Sequence, residues 1–244
     1  MPEGPSILLV KEAVAKFAGK KIIAVDGNTK IDQSILLNKK IIGFKSWGKH
    51  FLICFEGLTL KVHFLMFGSY TIDEKKPDRA IRLHLKFKNG EINLYTCSVK
   101  YLEGDINQHY DWSADVMNDN WDKKKARAKL KAIPEALICD ALLDQDIFAG
   151  VGNIIKNEVL YRVRLHPESV IGKIPTAKIN KLIDETRIYS FQFLEWKRAY
   201  ELKQHWLAHT KKICLRCDLP LIKKQTGAKK RRSFICTSCQ TLYN

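Results

Sequence analysis

The chain opens Met1-Pro2-Glu3-Gly4-Pro5, and removal of Met1 would expose a proline secondary amine. Such an amine can attack an electron-poor carbon such as a sugar C1′ and form an iminium. A generic α-amino group of pKa about 8 is roughly 10% neutral at pH 7, against about 0.04% for a lysine near 10.4. A proline amine titrates somewhat higher, so its advantage is smaller than that ratio. Glu3 is adjacent and could give or take the proton. Pro is common at position 2, so the dipeptide alone also fits a start with no chemical role.

The other end of the chain carries Cys214-Leu-Arg-Cys217 and Cys236-Thr-Ser-Cys239, with eighteen residues between the pairs. This spacing falls inside the four-cysteine zinc-ribbon window. Four thiolates would close every position on the metal, so Zn2+ bound there would be structural and not a Lewis acid. Between the pairs lies Lys223-Lys224-Gln-Thr-Gly227-Ala-Lys229-Lys230-Arg231-Arg232. Gly227 suits the turn of a hairpin, and the clustered cations could grip phosphates or be a solvated basic loop. An amine nucleophile and a metal-built basic module in one chain point to Schiff-base chemistry on DNA.

Three internal segments add candidates. Gly150-Val-Gly152-Asn153 allows a tight left-handed turn, with Asn153 as a good N-cap whose helix would present amides to a phosphate; an ordinary helix corner reads the same way. Trp47-Gly48-Lys49-His50 joins two strand-like runs, which puts Lys49 on a turn, where most lysines are only surface charges. Leu65-Met66-Phe67-Gly68 reads as core, or as an apolar wedge that fills the gap left by an extruded base.

These residues need elements to hold them. Residues 5–18 have apolar positions at helical spacing, and Gly19 ends the run. Strand-like patterns follow at 21–26, 40–47, 50–55, 58–64, 70–73, 82–88 and 91–95, with turns at Glu56-Gly57 and Asn89-Gly90. The pattern predicts an α+β protein: an N-terminal β-sandwich with a leading helix over residues 1–104, then a polar linker over 105–122. Helical signals return at Lys123, at Pro134 to about Asp144, at Ile154–Arg162 and at about Thr176–Tyr200. This places a helical domain at 123–210 and the ribbon at 211–244.

The 244 residues carry 42 Lys+Arg against 26 Asp+Glu, a net charge of +16 that attracts polyanions. No run of 18 apolar residues is present, and Ile7–Val10 is too short for a signal segment, so the expected location is the cytoplasm. The remaining cysteines, Cys54, Cys97 and Cys139, sit among apolar residues and read as buried free thiols.

The N-terminal Pro-Glu-Gly-Pro, the Gly-Val-Gly-Asn turn between two helices, and the Arg231-x-x-Phe-x-Cys-x-x-Cys-Gln240 ending occur here in one order. Together they resemble the bacterial formamidopyrimidine-DNA glycosylase/endonuclease VIII family over the whole chain. The resemblance implies base-excision repair of DNA containing oxidised bases or abasic sites, by a monomer acting at the nucleoid. It also implies the family's helix-two-turn-helix motif, with DNA bound in a cleft between the two domains. Pro2 would attack C1′, Glu3 would be general acid and base, and Lys49 would hold a phosphate beside the lesion. Asn153 and Arg231 would clamp flanking phosphates, Met66 with Leu65 and Phe67 would enter the duplex, and β,δ-elimination would cut the strand.

Two departures bear on the branch. The formamidopyrimidine branch carries an Asp-Pro-Arg-Arg-Phe-Gly-like segment whose Arg reads the orphaned cytosine. The corresponding Leu94–Tyr101 stretch lacks that Arg. The stretch from Arg198 to Cys214 is short for a loop that caps 8-oxoguanine. Both favour the endonuclease VIII branch and oxidised pyrimidines such as thymine glycol. Ser6 stands where many members carry Glu, so lesion preference or rate can differ.

Overall fold

A computed structural model describes residues 2–244. The backbone divides into two compact units, Met1–Asp111 and Trp112–Asn244. The boundary falls inside the segment expected as a linker.

In the first unit, α1 spans Gly4–Ala13, with Pro5 in its first turn, where a missing amide hydrogen costs nothing. The predicted helix continues only as a 3-10 turn, Ala15–Phe17, and Gly19 closes it at φ +75°. Ile7, Val10, Val14 and Phe17 are buried. Each such side chain contributes about 1.5–3 kcal/mol of transfer free energy.

Six strands follow: β1 Ala24–Asp26, β2 Gly43–Trp47, β3 His50–Phe55, β4 Leu58–Ile72, β5 Leu83–Phe87 and β6 Gly90–Glu103. They hydrogen-bond in the order β1-β5-β6-β4-β3-β2, antiparallel throughout. The strands expected of a sandwich thus form one continuous sheet, because β4 and β6 are long enough to serve both halves. The separate strands expected at 58–64 and 70–73 are both parts of β4. Side chains from both halves bury into one core, including Phe51, Ile53, Leu60, Val62, Leu83, Leu85, Ile92 and Leu94. Helix α1 packs on β2 and β3.

The second unit contains α2 Lys123–Lys131, α3 Ile138–Ala141, α4 Asn153–Arg162 and α5 Thr176–Arg198, then short strands β7 Ile213–Cys214, β8 Leu219–Pro220, β9 Ile222–Thr226 and β10 Arg231–Ile235. The Asp122 carboxylate caps α2, accepting from the amides of Lys124 and Lys125. The helix expected from Pro134 is reduced to the single turn of α3. The reason is tertiary: the carbonyls of Pro134 and Ala136 accept from Gly172 and Ile171, and the amides of Ile138 and Cys139 donate to Ser169 and Pro167. Backbone groups committed to residues 167–172 cannot also close a helical ladder.

Strands β9 and β10 pair antiparallel, with Arg231 opposite Thr226 and Ile235 opposite Ile222. The hairpin packs on α4, and the chain end runs back along residues 164–170 through bonds at Leu165, His166 and Val170. The helical segment and the ribbon therefore form one compact unit. Among the described residues, no helix is long and apolar enough to cross a membrane.

Candidate nucleic-acid interface and metal centre

Glu3 caps α1 with extended backbone geometry, and its carbonyl accepts from the amides of Ser6 and Ile7. Its side chain belongs to a buried residue, while Pro2 before it is half-buried. The sequence Pro-Glu-Gly-Pro thus puts a buried acidic residue one position after Pro2. Ser6 lies half-buried in the first turn of the same helix.

Lys49 sits on the two-residue loop that joins β2 to β3, closed by the pair Trp47 and His50. Gly48 supplies the positive φ, +52°, that so tight a loop needs. The loop is braced from beneath. Trp47 Nε1 donates to the Asp111 carbonyl at 2.9 Å, and its ring lies 4.9 Å from that of Tyr110. The Tyr110 hydroxyl is 3.2 Å from His50 Nδ1. Burial, with the charges of Lys61, His63 and Lys49, holds His50 down to about 4. At neutral pH the His50 ring is uncharged next to Lys49.

Leu65, Met66 and Phe67 are not core. They are 44%, 57% and 70% exposed. The ladder between β4 and β6 pairs Phe64 with Cys97 and then Ser69 with Tyr95, so residues 65–68 oppose Thr96 alone. This large bulge throws three apolar side chains outward. Gly68 returns the strand to register: a Cβ there would lie 2.8 Å from Phe64 Cβ and 2.9 Å from the Thr96 carbonyl oxygen. Arg79 Nη1 donates to the Phe67 carbonyl at 3.1 Å and braces the tip.

In the second unit, α4 follows the turn at Gly150, where φ is +98°. Gln145 holds this turn. Its side chain donates to the carbonyls of Leu143 and Val151 and accepts from the Gly150 amide. The cap of α4 is Gly152, and Asn153 is the first helical residue instead of the cap expected from sequence. Asn153 Nδ2 donates to the Arg232 carbonyl at 3.0 Å. An amide nitrogen carries two hydrogens, so the second can face a ligand. Arg231 opens β10, half-buried, one residue from that carbonyl.

The basic loop divides in two. Lys224 pairs with Glu168 at 2.7 Å, and Lys229 Nζ donates to the Leu143 carbonyl at 3.0 Å. Asp140 accepts from the amides of Ala228 and Lys229, while Gly227 passes so close that a Cβ would lie 2.4 Å from both carboxylate oxygens. The hairpin tip is therefore anchored, and Lys224 and Lys229 are spent on the protein itself.

The four cysteine sulfurs of Cys214, Cys217, Cys236 and Cys239 all lie within 4.8 Å of one another, and Cys214 and Cys239 are 3.8 Å apart. A tetrahedral ion with ~2.3 Å metal–sulfur bonds has sulfurs ~3.8 Å apart, so the four thiols fit such an ion. Arg216 Nη2 donates to Cys239 Sγ at 3.1 Å and to the Tyr161 carbonyl at 2.7 Å, with its guanidinium over the Tyr161 ring. The Tyr161 hydroxyl is 3.2 Å from Cys214 Sγ. Donors of this kind stabilise thiolate charge.

Three residues that the sequence did not single out complete the arrangement: Lys156, Asn157 and Glu158, all on α4 and all buried. The Glu158 carboxylate accepts from the successive amides of Leu207, Ala208 and His209 at 2.7–3.1 Å. Their run inside a helix with Asn153 was the available signal, since charged residues there need partners. Of the other thiols, Cys97 and Cys139 are buried and Cys54 is half-buried, all free. Burial pushes Cys97 up to about 12.

A two-unit α+β fold with a basic hairpin, a four-thiol cluster and an outward apolar tip defines a nucleic-acid-binding class. The N-terminal domain model of formamidopyrimidine-DNA glycosylase matches residues 1–98, and the H2TH domain model of the same glycosylase matches 113–189. The chain belongs to the formamidopyrimidine-DNA glycosylase family. It is 26% identical over 231 residues to Endonuclease 8-like 3 of Xenopus laevis, covering 90% of this chain but only 38% of that relative. It is 26% identical to the formamidopyrimidine-DNA glycosylase of Carboxydothermus hydrogenoformans, over 98% of this chain and 100% of the relative. Among solved structures, Lactococcus lactis formamidopyrimidine-DNA glycosylase, bound to DNA containing an AP site, superposes with TM-score 0.87 at 22% identity, covering 98% and 99% of the two chains. A viral DNA glycosylase superposes at 0.84 and 18% identity, over 98% of this chain and 100% of that one.

Proposed function

We propose that this protein is a bifunctional DNA glycosylase and AP lyase of base-excision repair, acting on oxidised pyrimidines and on abasic sites as a monomer. The observation that carries the reading is the buried Glu3 carboxylate at the residue next to Pro2. With Met1 removed, the Pro2 nitrogen lone pair attacks C1′. The C1′–base bond breaks, and the base leaves with that electron pair and a proton. Ring opening transfers a proton to O4′ and leaves the iminium between Pro2 and C1′. Glu3 serves these proton transfers. The iminium acidifies C2′, its proton is removed, and the 3′ phosphate departs in β-elimination. δ-Elimination then releases the 5′ phosphate, and hydrolysis frees Pro2.

Lys49, on its braced loop, holds a phosphate beside the lesion, and Asn153 with Arg231 holds the flanking ones. Leu65, Met66 and Phe67 fill the space left by the extruded base. Zn2+ in the four-thiol cluster is structural. The pyrimidine preference is supported by two observations. Leu94–Tyr101 lies within β6 and carries no arginine. The short stretch after α5 is tied down by stacking of His205 on Trp196 and by Glu158, not left as a long cap.

The test is borohydride trapping on a duplex carrying one thymine glycol, with protein made without an N-terminal tag. A covalent complex is expected, and Pro2→Gly should abolish it while duplex binding survives. Normal trapping by Pro2→Gly would reassign the nucleophile. Trapping only at a pre-formed abasic site, or faster with 8-oxoguanine opposite cytosine, would overturn the pyrimidine assignment. Tight abasic-site binding without cleavage would make this a damage-binding protein.

A further inference from the structure

Lys156 lies in the middle of α4 and is fully buried. An ammonium in a core is costly unless its hydrogens are satisfied. Here it donates to Ser233 Oγ at 2.9 Å and to the Arg232 carbonyl at 3.3 Å. The same carbonyl accepts from Asn153 Nδ2 at 3.0 Å and from Asn157 Nδ2 at 3.1 Å. Residues 153, 156 and 157 share one face of the helix, so three side chains converge on one oxygen of β10. Asn157 Oδ1 also accepts from the Phe234 amide at 3.1 Å. Ser233 Oγ continues the network to Thr226 Oγ1 at 2.7 Å, and Thr226 Oγ1 lies 3.4 Å from the Arg231 carbonyl.

An apolar residue of similar size would fill this space more cheaply. What the ammonium adds is a fixed position for the peptide joining Arg232 to Ser233, next to Arg231, relative to α4. We infer that Lys156 is a positioning residue: it locks β10 onto α4 so that Arg231 and Asn153 meet DNA phosphates as a single preset clamp. This rests on the phosphate-clamp reading of Arg231 given above.

The test is a double-mutant cycle in the metal-loaded full chain. The probe is a duplex with one tetrahydrofuran abasic analogue, titrated over a range of salt concentrations. Lys156→Met should weaken binding about tenfold and flatten the salt slope by about one ion in the Arg231 background, yet cost under about twofold in Arg231→Ala. Metal content and melting temperature report whether the variant folds. If Lys156→Met does not fold, Ser233→Ala removes the ammonium's hydroxyl partner and is carried through the same cycle. Equal losses in both backgrounds would mean that Lys156 only supports the fold, and the inference falls. No loss in either would have the same meaning. If Arg231→Ala binds as wild type at every salt, the clamp reading falls as well. If Arg231→Ala weakens binding while Lys156→Met is additive, only the inference falls.

Discussion

A histidine kept neutral between lysines has a cost that appears in acid. His50 is held at about 4, first by burial and then by Lys61, His63 and Lys49. Unfolded, it titrates near 6.5. Between those values the unfolded chain takes up a proton that the folded chain refuses. The stability associated with the neutral ring is thus fully present above about pH 6.5 and is lost as pH falls toward 4. Thermal melts from pH 7 to pH 5 should show a falling midpoint, and His50→Asn should show a shallower fall. Parallel slopes would mean that His50 does not carry the effect. His63, His166 and His209 are shifted the same way, so some dependence should persist. Single residues were unevenly legible in sequence. Pro2, Glu3 and the cysteines announce themselves by type and spacing. Lys156 and Glu158 do not, because their partners, Ser233 and the amides of 207–209, lie at least 49 residues away in the chain.

The β4–β6 bulge makes a demand on one glycine. Alanine at position 68 would press its methyl against Phe64 Cβ and the Thr96 carbonyl, both nearer than 3 Å. Backbone must move, at an expected ~1–3 kcal/mol. Gly68→Ala should lower the denaturation midpoint, whereas Met66→Ala, which changes only an exposed side chain, should leave it within about 0.5 kcal/mol. Equal stability of Gly68→Ala and wild type would show the bulge to be soft. Element boundaries followed local signals where local forces ruled. His50–Phe55 was legible in full, since it starts after the Gly48-Lys49 loop and ends at Glu56-Gly57. The second hairpin shifted by one residue: Phe87 pairs with Gly90, so Lys88-Asn89 form its loop. The outward tip could not be told from core, because sequence alone does not reveal that four residues would oppose one. The helix expected from Pro134 was misread because long-range hydrogen bonds override local preference.

Residues 112–244 form one compact unit that contains a small core around Tyr161, Ala208, Cys214, Leu221, Phe234 and Cys236, two of them cysteines of the four-thiol cluster. Metal binding and ribbon folding are coupled in such sites. If the cluster holds the proposed zinc, Cys236→Ser, or a chelator under mild denaturant, should release one metal ion per chain, which elemental analysis would identify. Hydrogen exchange should then show β9 and β10 unprotected while β3 stays protected. Retained protection in β9 and β10 after metal loss would refute the coupling. The +16 charge and the cysteine spacing made a nucleic-acid partner legible, but the merging of helices and ribbon into one unit was not, since it depends on α4 contacts made across the fold.

The tip at Leu65–Phe67 also matters to anyone handling the protein without DNA. Three neighbouring exposed apolar side chains give one copy a surface on which another can adhere. The +16 charge of each chain opposes such a contact. That repulsion reaches ~8 Å at physiological ionic strength and only ~3 Å in molar salt. A high-salt wash should therefore promote self-association that low salt suppresses, which light scattering at the two ionic strengths would show.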